Sequence, residues 1–224
     1  MVKLVLLRHG ESTANYANIY TGWNDVKLTS RGRTQAVLAG QLISKIPNFA
    51  PTHVHTSILV RAIETANIVA EVANFLYLPI TKTWRLNERH YGKLRGLNKD
   101  LSREIFGQKQ ILEWRRGFYS VPPAGDRITD RRYVNCDRQR LPRAESLYQT
   151  QQRVLPYYHN EVARRLLKGE DQLIVAHGST LRALIKKLEQ IDDSAITELE
   201  VYNAEPIVYT FDKYLYIRDK QVLS

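Results

Sequence analysis

The segment Arg8-His9-Gly10-Glu11-Ser12 sets a cation, an imidazole and a glycine at the end of an apolar run, Lys3-Leu4-Val5-Leu6-Leu7. An imidazole nitrogen can attack phosphorus, and a guanidinium grips two phosphate oxygens with its planar fork. A second imidazole, in His177-Gly178, again closes an apolar run, Gln172-Leu173-Ile174-Val175-Ala176. Between them in the chain, Arg61 lies in Ser57-Ile58-Leu59-Val60-Arg61-Ala62-Ile63-Glu64-Thr65-Ala66, in the first turn of an expected helix. Helix N-termini attract phosphate through free amides and the helix dipole. Together these residues point to phosphoryl chemistry. The plainer readings are that His9 only caps a strand, with Arg8 on the surface, and that Arg61 is a solvated helix side chain.

The elements that must position these groups alternate along the chain. Unbroken apolar runs such as 3–7 and 172–176 read as strands buried on both faces, and ligands in open α/β sheets sit beyond the carboxyl ends of such strands. If the two runs are parallel neighbours, both imidazoles reach one edge. A polar loop is expected over Thr13 to Lys27, followed by a helix starting within 28–32. Thr29 or Ser30 would cap that helix, Ala36, Leu38, Ala39, Leu42, Ile43 and Ile46 form its apolar stripe, and Pro47 stops it. His53 to Thr56 reads as a strand entering a helix at Ser57 that carries Ile63, Ile68, Val69 and Val72. A long insertion spans about 84–147, with 121–143 its least periodic stretch and best suited to a mobile loop. A helical pattern returns over 145–168, another covers 179–188, and 207–211 and 215–217 look like closing strands. The expected fold is α/β: a three-layer sandwich with a mostly parallel central sheet and helices on both faces, one domain over 1–224.

The chain has 224 residues, 43% hydrophobic and 25% charged, which suits a globular protein. Lys and Arg total 33 against 23 Asp and Glu, a net charge of +10 that favours an acidic partner: nucleic acid, a membrane surface or a phosphorylated metabolite. Cys136 is the single cysteine, so neither an intrachain disulfide nor a cysteine zinc site can form. The N-terminal apolar run breaks at Arg8, too early for a signal peptide, and no run approaches membrane-spanning length. A cytoplasmic location is expected, with no membrane partner. His53 and His55 share one face of a strand without a third ligand nearby, so no metal is expected there. His90 and His159 read as structural.

Taken together, Arg8-His9-Gly10-Glu11-Ser12, Asn15, Thr21-Gly22-Trp23, the 57–66 segment and Ala176-His177-Gly178 resemble the histidine phosphatase superfamily. Within it, Leu86-Asn87-Glu88-Arg89-His90-Tyr91-Gly92, Gly96-Leu97-Asn98-Lys99 and Trp114-Arg115-Arg116-Gly117 resemble the cofactor-dependent phosphoglycerate mutases, in matching order over most of the chain. The resemblance implies that His9 is the nucleophile, and that Arg8, Arg61 and His177 hold the oxygens of the group in flight. It implies that Glu88 moves the proton of the substrate hydroxyl. It further implies substrate contacts from Ser12, Asn15, Thr21, Gly22, Arg89, Gly178 and Ser179, and from Tyr91, Lys99, Arg115 and Arg116 at the far end of the substrate. The implied reaction interconverts 3-phosphoglycerate and 2-phosphoglycerate, primed by 2,3-bisphosphoglycerate and without a metal, often in a dimer or larger homo-oligomer.

Three departures stand out. His177-Gly178-Ser179 replaces the usual His-Gly-Asn, Tyr202-Asn203-Ala204-Glu205-Pro206 replaces a Pro-Thr-Gly before the closing strand, and the stretch 121–147 is short, with little tail expected before Ser224. A thinner cover would admit water and tilt the chemistry toward hydrolysis, so a phosphatase acting on small phosphate esters is the alternative. A non-catalytic nucleic-acid-binding protein is a more remote one; the tyrosines are not interleaved with a basic stripe and no such motif is present, so no nucleic-acid partner is expected.

Overall fold

Leu4 and Leu6 turn to one face of the first strand, Val5 and Leu7 to the other, and all four are fully buried. A strand apolar on both faces needs cover on both, and this decides the three layers. The computed structural model describes residues 1–224. Its sheet has six strands, β1 (Val2–Arg8), β2 (Pro51–Thr56), β3 (Ile80–Lys82), β4 (Asp171–Ala176), β5 (Ile207–Phe211) and β6 (Ile217–Val222), in the order β3-β2-β4-β1-β5-β6. The pairs β2–β3, β2–β4 and β1–β4 are parallel, and β5 runs antiparallel to β1 and to β6. The expected mostly parallel sheet is thus present.

The helices are α1 (Thr13–Tyr16), α2 (Ser30–Ser44), α3 (Val60–Val72), α4 (Lys99–Phe106), α5 (Gln108–Arg116), α6 (Leu147–Tyr157), α7 (Arg164–Leu167) and α8 (Gly178–Leu188). Val154, Tyr157, Leu181, Leu184 and Ile185 of α6 and α8 pack with Leu4, Leu6 and Ile174 on one face. Ala39, Ile43, Ala66 and Val69 of α2 and α3 pack with Val5, Leu7, Leu173 and Val175 on the other. Residues 84–147 add no strand to this sheet.

Several local expectations shift. The polar loop contains α1, because Ser12 forms a capping box with Asn15. Helix α3 starts at Val60 rather than Ser57: Ser57 Oγ accepts the amide of Leu59 (3.2 Å), which holds Leu59 extended at φ −94, ψ 131. Its remote cap is Asp25, whose Oδ1 accepts the Val60 amide at 2.7 Å. The insertion holds the helix pair α4 and α5, hinged at Gly107 (φ +80), with Asn98 capping α4. The 145–168 helix starts at Leu147 and carries a π-helical stretch, Tyr158–Ala163, just after Pro156, whose ring nitrogen cannot donate to the preceding turn. Strand β3 has no counterpart among the expected elements, and the closing hairpin turns through Asp212 to Tyr216, so its second strand is 217–222.

Candidate active site

Parallel pairing of β1 with β4 sets Arg8 opposite Ala176, and the amide of His9 donates to the carbonyl of Ala176 (3.0 Å). His9 and His177 therefore leave neighbouring strands at one edge, their ring centroids 5.0 Å apart and edge to face. Close packing of the turn after β1 against α2 makes this edge possible. A Cβ on Gly10 would lie 2.1 Å from the carbonyl oxygen of Gly32, so glycine is required where the chain leaves the strand.

His9 is 3% exposed and its Nδ1 sits 2.7 Å from the carbonyl oxygen of Gly10. A carbonyl only accepts, so Nδ1 carries the proton and the lone pair lies on Nε2. Arg61 Nε donates to that Nε2 at 3.3 Å. Burial, then Arg61 and Arg8, hold the His9 pKa well below the ordinary histidine value, so the ring is neutral near pH 7. His177 is also pushed well down, by burial first and then by Arg61 and His9. Its Nε2 lies 2.8 Å from Ser57 Oγ, and its Nδ1 has no partner within the protein.

In front of His9 opens a cavity of about 120 Å³. Its wall carries Arg8, Arg61, Lys99, Arg115, Arg116 and Arg182 against only two carboxylates, Glu88 and Glu200. The guanidinium of Arg8 lies against Gly178, where a Cβ would meet its Nε at 3.4 Å. Arg8 Nη1 donates to the carbonyl of Val201 (2.8 Å), and its buried Nε has no partner. Arg61 is anchored by the carbonyls of Asn24 (2.9 Å) and Gly22 (2.8 Å). Burial brings its pKa down to about 10, which still leaves it charged near neutrality. Gly22 has φ +50 and approaches the amide of Tyr91, so its carbonyl reaches Arg61 only because it lacks a side chain.

Glu88 Oε1 accepts the amides of Arg89 (2.8 Å) and of Ser179 in the first turn of α8 (3.1 Å). Behind it, Trp23 Nε1 and Arg153 Nη2 donate to its backbone carbonyl at 2.5 and 3.1 Å. Tyr133 stacks on Trp23 (5.1 Å) and accepts from Asn87 Nδ2 (2.8 Å), which ties the 121–143 stretch to the same strip. Tyr91 OH lies 3.2 Å from Ser179 Oγ. Burial, the largest single influence, would raise the Tyr91 pKa, but the charge and hydrogen bonding of the Arg89 guanidinium over its ring and the hydrogen bond with Ser179 together turn the net shift downward.

Of the residues expected at the site, Arg8, His9, Asn15, Thr21, Gly22, Arg61, Glu88, Tyr91, Lys99, Arg115, Arg116, Gly178 and Ser179 line this one cavity. Three do not. Ser12 is buried and spends its hydroxyl on Asn15, so it orders that neighbour rather than meeting a ligand. Arg89 is fully buried and donates to the carbonyl of Arg115 (2.7 Å) at the end of α5. His177 is fully buried beside His9, its ring edge to face with it.

The sequence reading missed Ile19, Tyr20, Arg182, Glu200 and Val201, which also line the cavity. Arg182 follows Ser179 by three residues on α8, a spacing that puts both on one helix face and could have found it. It donates to the carbonyls of Arg115, Arg116 and Ile196 at 3.5, 3.4 and 2.6 Å. Arg89 and Arg182 thus satisfy the C-terminal carbonyls of α5 with positive charge, and so fix where Arg115 and Arg116 stand.

The remaining histidines are elsewhere. His53 Nε2 meets Thr81 Oγ1 (2.6 Å), and His55 meets Tyr157 OH (2.7 Å) and Gln172 Oε1 (2.9 Å). No group of three or more His, Cys, Asp or Glu comes together to hold a metal ion, and no helix is long and apolar enough to cross a membrane.

Comparison with known proteins gives the family and the fold. The model of the histidine phosphatase superfamily, branch 1, matches residues 4–217. The chain is 61% identical over its whole length to 2,3-bisphosphoglycerate-dependent phosphoglycerate mutase 2 of Lactobacillus johnsonii, covering 98% of that protein. It is 55% identical, again over its whole length, to 2,3-bisphosphoglycerate-dependent phosphoglycerate mutase 1 of Latilactobacillus sakei, of which 95% is covered. Among solved structures, Bacillus stearothermophilus YhfR superposes with a TM-score of 0.74 at 25% identity, over 97% of this chain and 95% of that one. A mycobacterial glucosyl-3-phosphoglycerate phosphatase does so with a TM-score of 0.74 at 25% identity, over 99% and 97%.

Proposed function

This chain belongs to the histidine phosphatase superfamily, and we propose that its cavity interconverts 3-phosphoglycerate and 2-phosphoglycerate, the mutase activity its full-length relatives are named for, through phosphorylation of His9. The observation that carries this is His9 itself. Its proton is held on Nδ1 by Gly10, its Nε2 carries the lone pair, which an incoming phosphoryl group takes over from Arg61 Nε, and six cationic side chains surround the space before it. A neutral imidazole attacks phosphorus only if the negative charge spread over the phosphoryl oxygens is met by fixed donors.

Arg8 and Arg61 are buried and anchored through their own backbone contacts, so they meet those oxygens with little reorganisation. The unpartnered Nε of Arg8 and Nδ1 of His177 are buried polar groups that an anion at His9 would satisfy. 2,3-Bisphosphoglycerate supplies the phosphoryl group that primes His9, and the excess of guanidinium groups in the cavity fits so highly charged a ligand. The N–P bond at His9 then breaks as the group passes to the free hydroxyl of 3-phosphoglycerate, whose proton goes to Glu88. His9 next takes the phosphoryl group from carbon 3, Glu88 returns the proton to that oxygen, and 2-phosphoglycerate is left. Lys99, Arg115 and Arg116, on the wall of the same cavity, hold the carboxylate while Tyr91 and Ser179 border the sugar-acid carbons.

The short 121–147 stretch does not by itself argue for hydrolysis, since a relative whose length this chain nearly matches carries a mutase name. The deciding experiment incubates the protein with 3-phosphoglycerate, with and without catalytic 2,3-bisphosphoglycerate. Appearance of the 2-isomer, dependent on the primer and faster than free phosphate, is expected. Stoichiometric release of inorganic phosphate without the 2-isomer would overturn the reading in favour of a phosphatase.

A further inference from the structure

Of the two carboxylates on the cavity wall, Glu88 is engaged by the amides of Arg89 and Ser179, and only Glu200 has no part in the chemistry. Glu200 instead occupies Arg116, whose Nη2 donates to Glu200 Oε1 while its Nη1 donates to the carbonyl of Leu199 (3.3 Å). Arg115, the neighbour on the same wall, has no ion-pair partner. An anion of the chain itself therefore sits on one of the two guanidinium groups facing the far end of the ligand.

We propose that Glu200 is a specificity-determining residue, a built-in competitor on Arg116 that the distal carboxylate or second phosphate of a ligand must displace. The proposal rests on the assignment of this cavity to phosphoglycerates. The pair is exchangeable by construction. Side-chain exposure is 20% for Arg116 and 45% for Glu200, so Glu200 can return to water when displaced, and a pair with one partner open to solvent is weakened by screening. A ligand with a single phosphoryl group is met at Arg8, His9 and Arg61 and never contests the pair. A ligand with a second anion must break it, and the displaced carboxylate remains close enough to repel that anion. Glu200 thus lowers the affinity of doubly anionic ligands relative to singly anionic ones, and speeds their release. It also lies one residue before Val201, whose carbonyl holds Arg8, so the same segment borders both ends of the cavity.

Calorimetric titration of the parent and of Glu200→Gln with 3-phosphoglycerate, 2,3-bisphosphoglycerate and inorganic phosphate tests this. Both phosphoglycerates are expected to bind about fivefold more tightly to the variant, with inorganic phosphate changed less than about twofold. The KM for 3-phosphoglycerate falls in step while kcat moves less than about twofold. In an Arg116→Gln background the substitution at Glu200 brings no tightening, because the contested cation is gone. Unchanged affinity in Glu200→Gln, equal tightening of inorganic phosphate, or tightening that persists without Arg116 each overturns the proposal. So does a parent that binds neither phosphoglycerate. Failure of the mutase assignment reads out separately, as absence of the 2-isomer from the parent, and leaves the binding comparison standing.

Discussion

Replacing Arg153 with methionine probes how the strip that carries Glu88 is held from behind. From α6, Arg153 Nε and Nη2 donate to the two carboxylate oxygens of Glu145 at 2.7 and 2.9 Å. Its Nη1 reaches the carbonyls of Arg85 (2.6 Å) and Asn87 (3.0 Å), and Nη2 that of Glu88 (3.1 Å). Arg153 is 7% and Glu145 3% exposed, so water cannot substitute for either. Methionine removes the cation and strands the Glu145 carboxylate on a single donor, the amide of His90 (2.8 Å); the carbonyl of Arg85 loses its guanidinium contact, and those of Asn87 and Glu88 are left with Thr180 Oγ1 and Trp23 Nε1. Breaking a buried pair from one side costs about 3–5 kcal/mol, most of it the penalty of the orphaned charge. A chain of this size loses roughly 2–4 °C of Tm per kcal/mol, so a drop of roughly 6–20 °C is expected. Removing both charges in Arg153→Met/Glu145→Leu leaves no buried ion and should restore most of the loss. Scanning calorimetry on the parent, each single variant and the pair measures this. A single variant within about 2 °C of the parent, or a double variant no better than Arg153→Met, would refute the reasoning.

Other perturbations read different parts of the structure. Burial pushes His55 and His90 down to about 4 and holds His9 and His177 well below their ordinary value. Below about pH 6.5 the unfolded chain binds protons at these four rings and the folded one does not, so stability falls as pH drops from 7 toward 5, by up to about 1.4 kcal/mol per pH unit for each ring. A Tm that stays flat over that range, with no proton uptake on unfolding at pH 5.5, contradicts the assignment. Gly10→Ala drives a Cβ to within 2.1 Å of the Gly32 carbonyl oxygen. It should cost about 1–3 kcal/mol or more and lower phosphoenzyme yield by displacing His9, measurable by urea unfolding and acid-labile phosphate. Glu88→Gln keeps an oxygen for the Arg89 and Ser179 amides but cannot exchange a proton. Turnover should fall about 10²–10⁴-fold with phosphate binding retained, and a pH–rate profile matching the parent would count against Glu88 as the proton carrier.

What could be read without coordinates was local and periodic. Two apolar runs closed by His-Gly read as neighbouring strands, and the pairing of Arg8 with Ala176 is the arrangement they imply. Alternation along 3–7 accounts for helices on both faces. The helix pair after Asn98 escaped notice because its few apolar residues pack on a small satellite cluster, Tyr20, Leu94 and Ile111, and not on the main core. Helix α3 starts three residues later than local sequence suggests because its cap, Asp25, lies 35 residues upstream. Ser12 and Arg89 carry motif positions yet support their neighbours from inside, a distinction that depends on which way a buried side chain turns.

The sequence alone determined which chemical groups are on hand, an imidazole nucleophile, a surplus of guanidinium groups and a carboxylate in a recognisable strip, and which strand ends present them. Only the tertiary structure decided their states: the proton on His9 Nδ1, the neutral ring, Arg153 and Arg182 as supports, and Arg116 already engaged by Glu200. The physical reason is that charge, protonation and hydrogen bonding depend on distance and burial, and the partners that set them are brought close by folding from positions such as 88 and 153, or 116 and 200, that no periodicity connects.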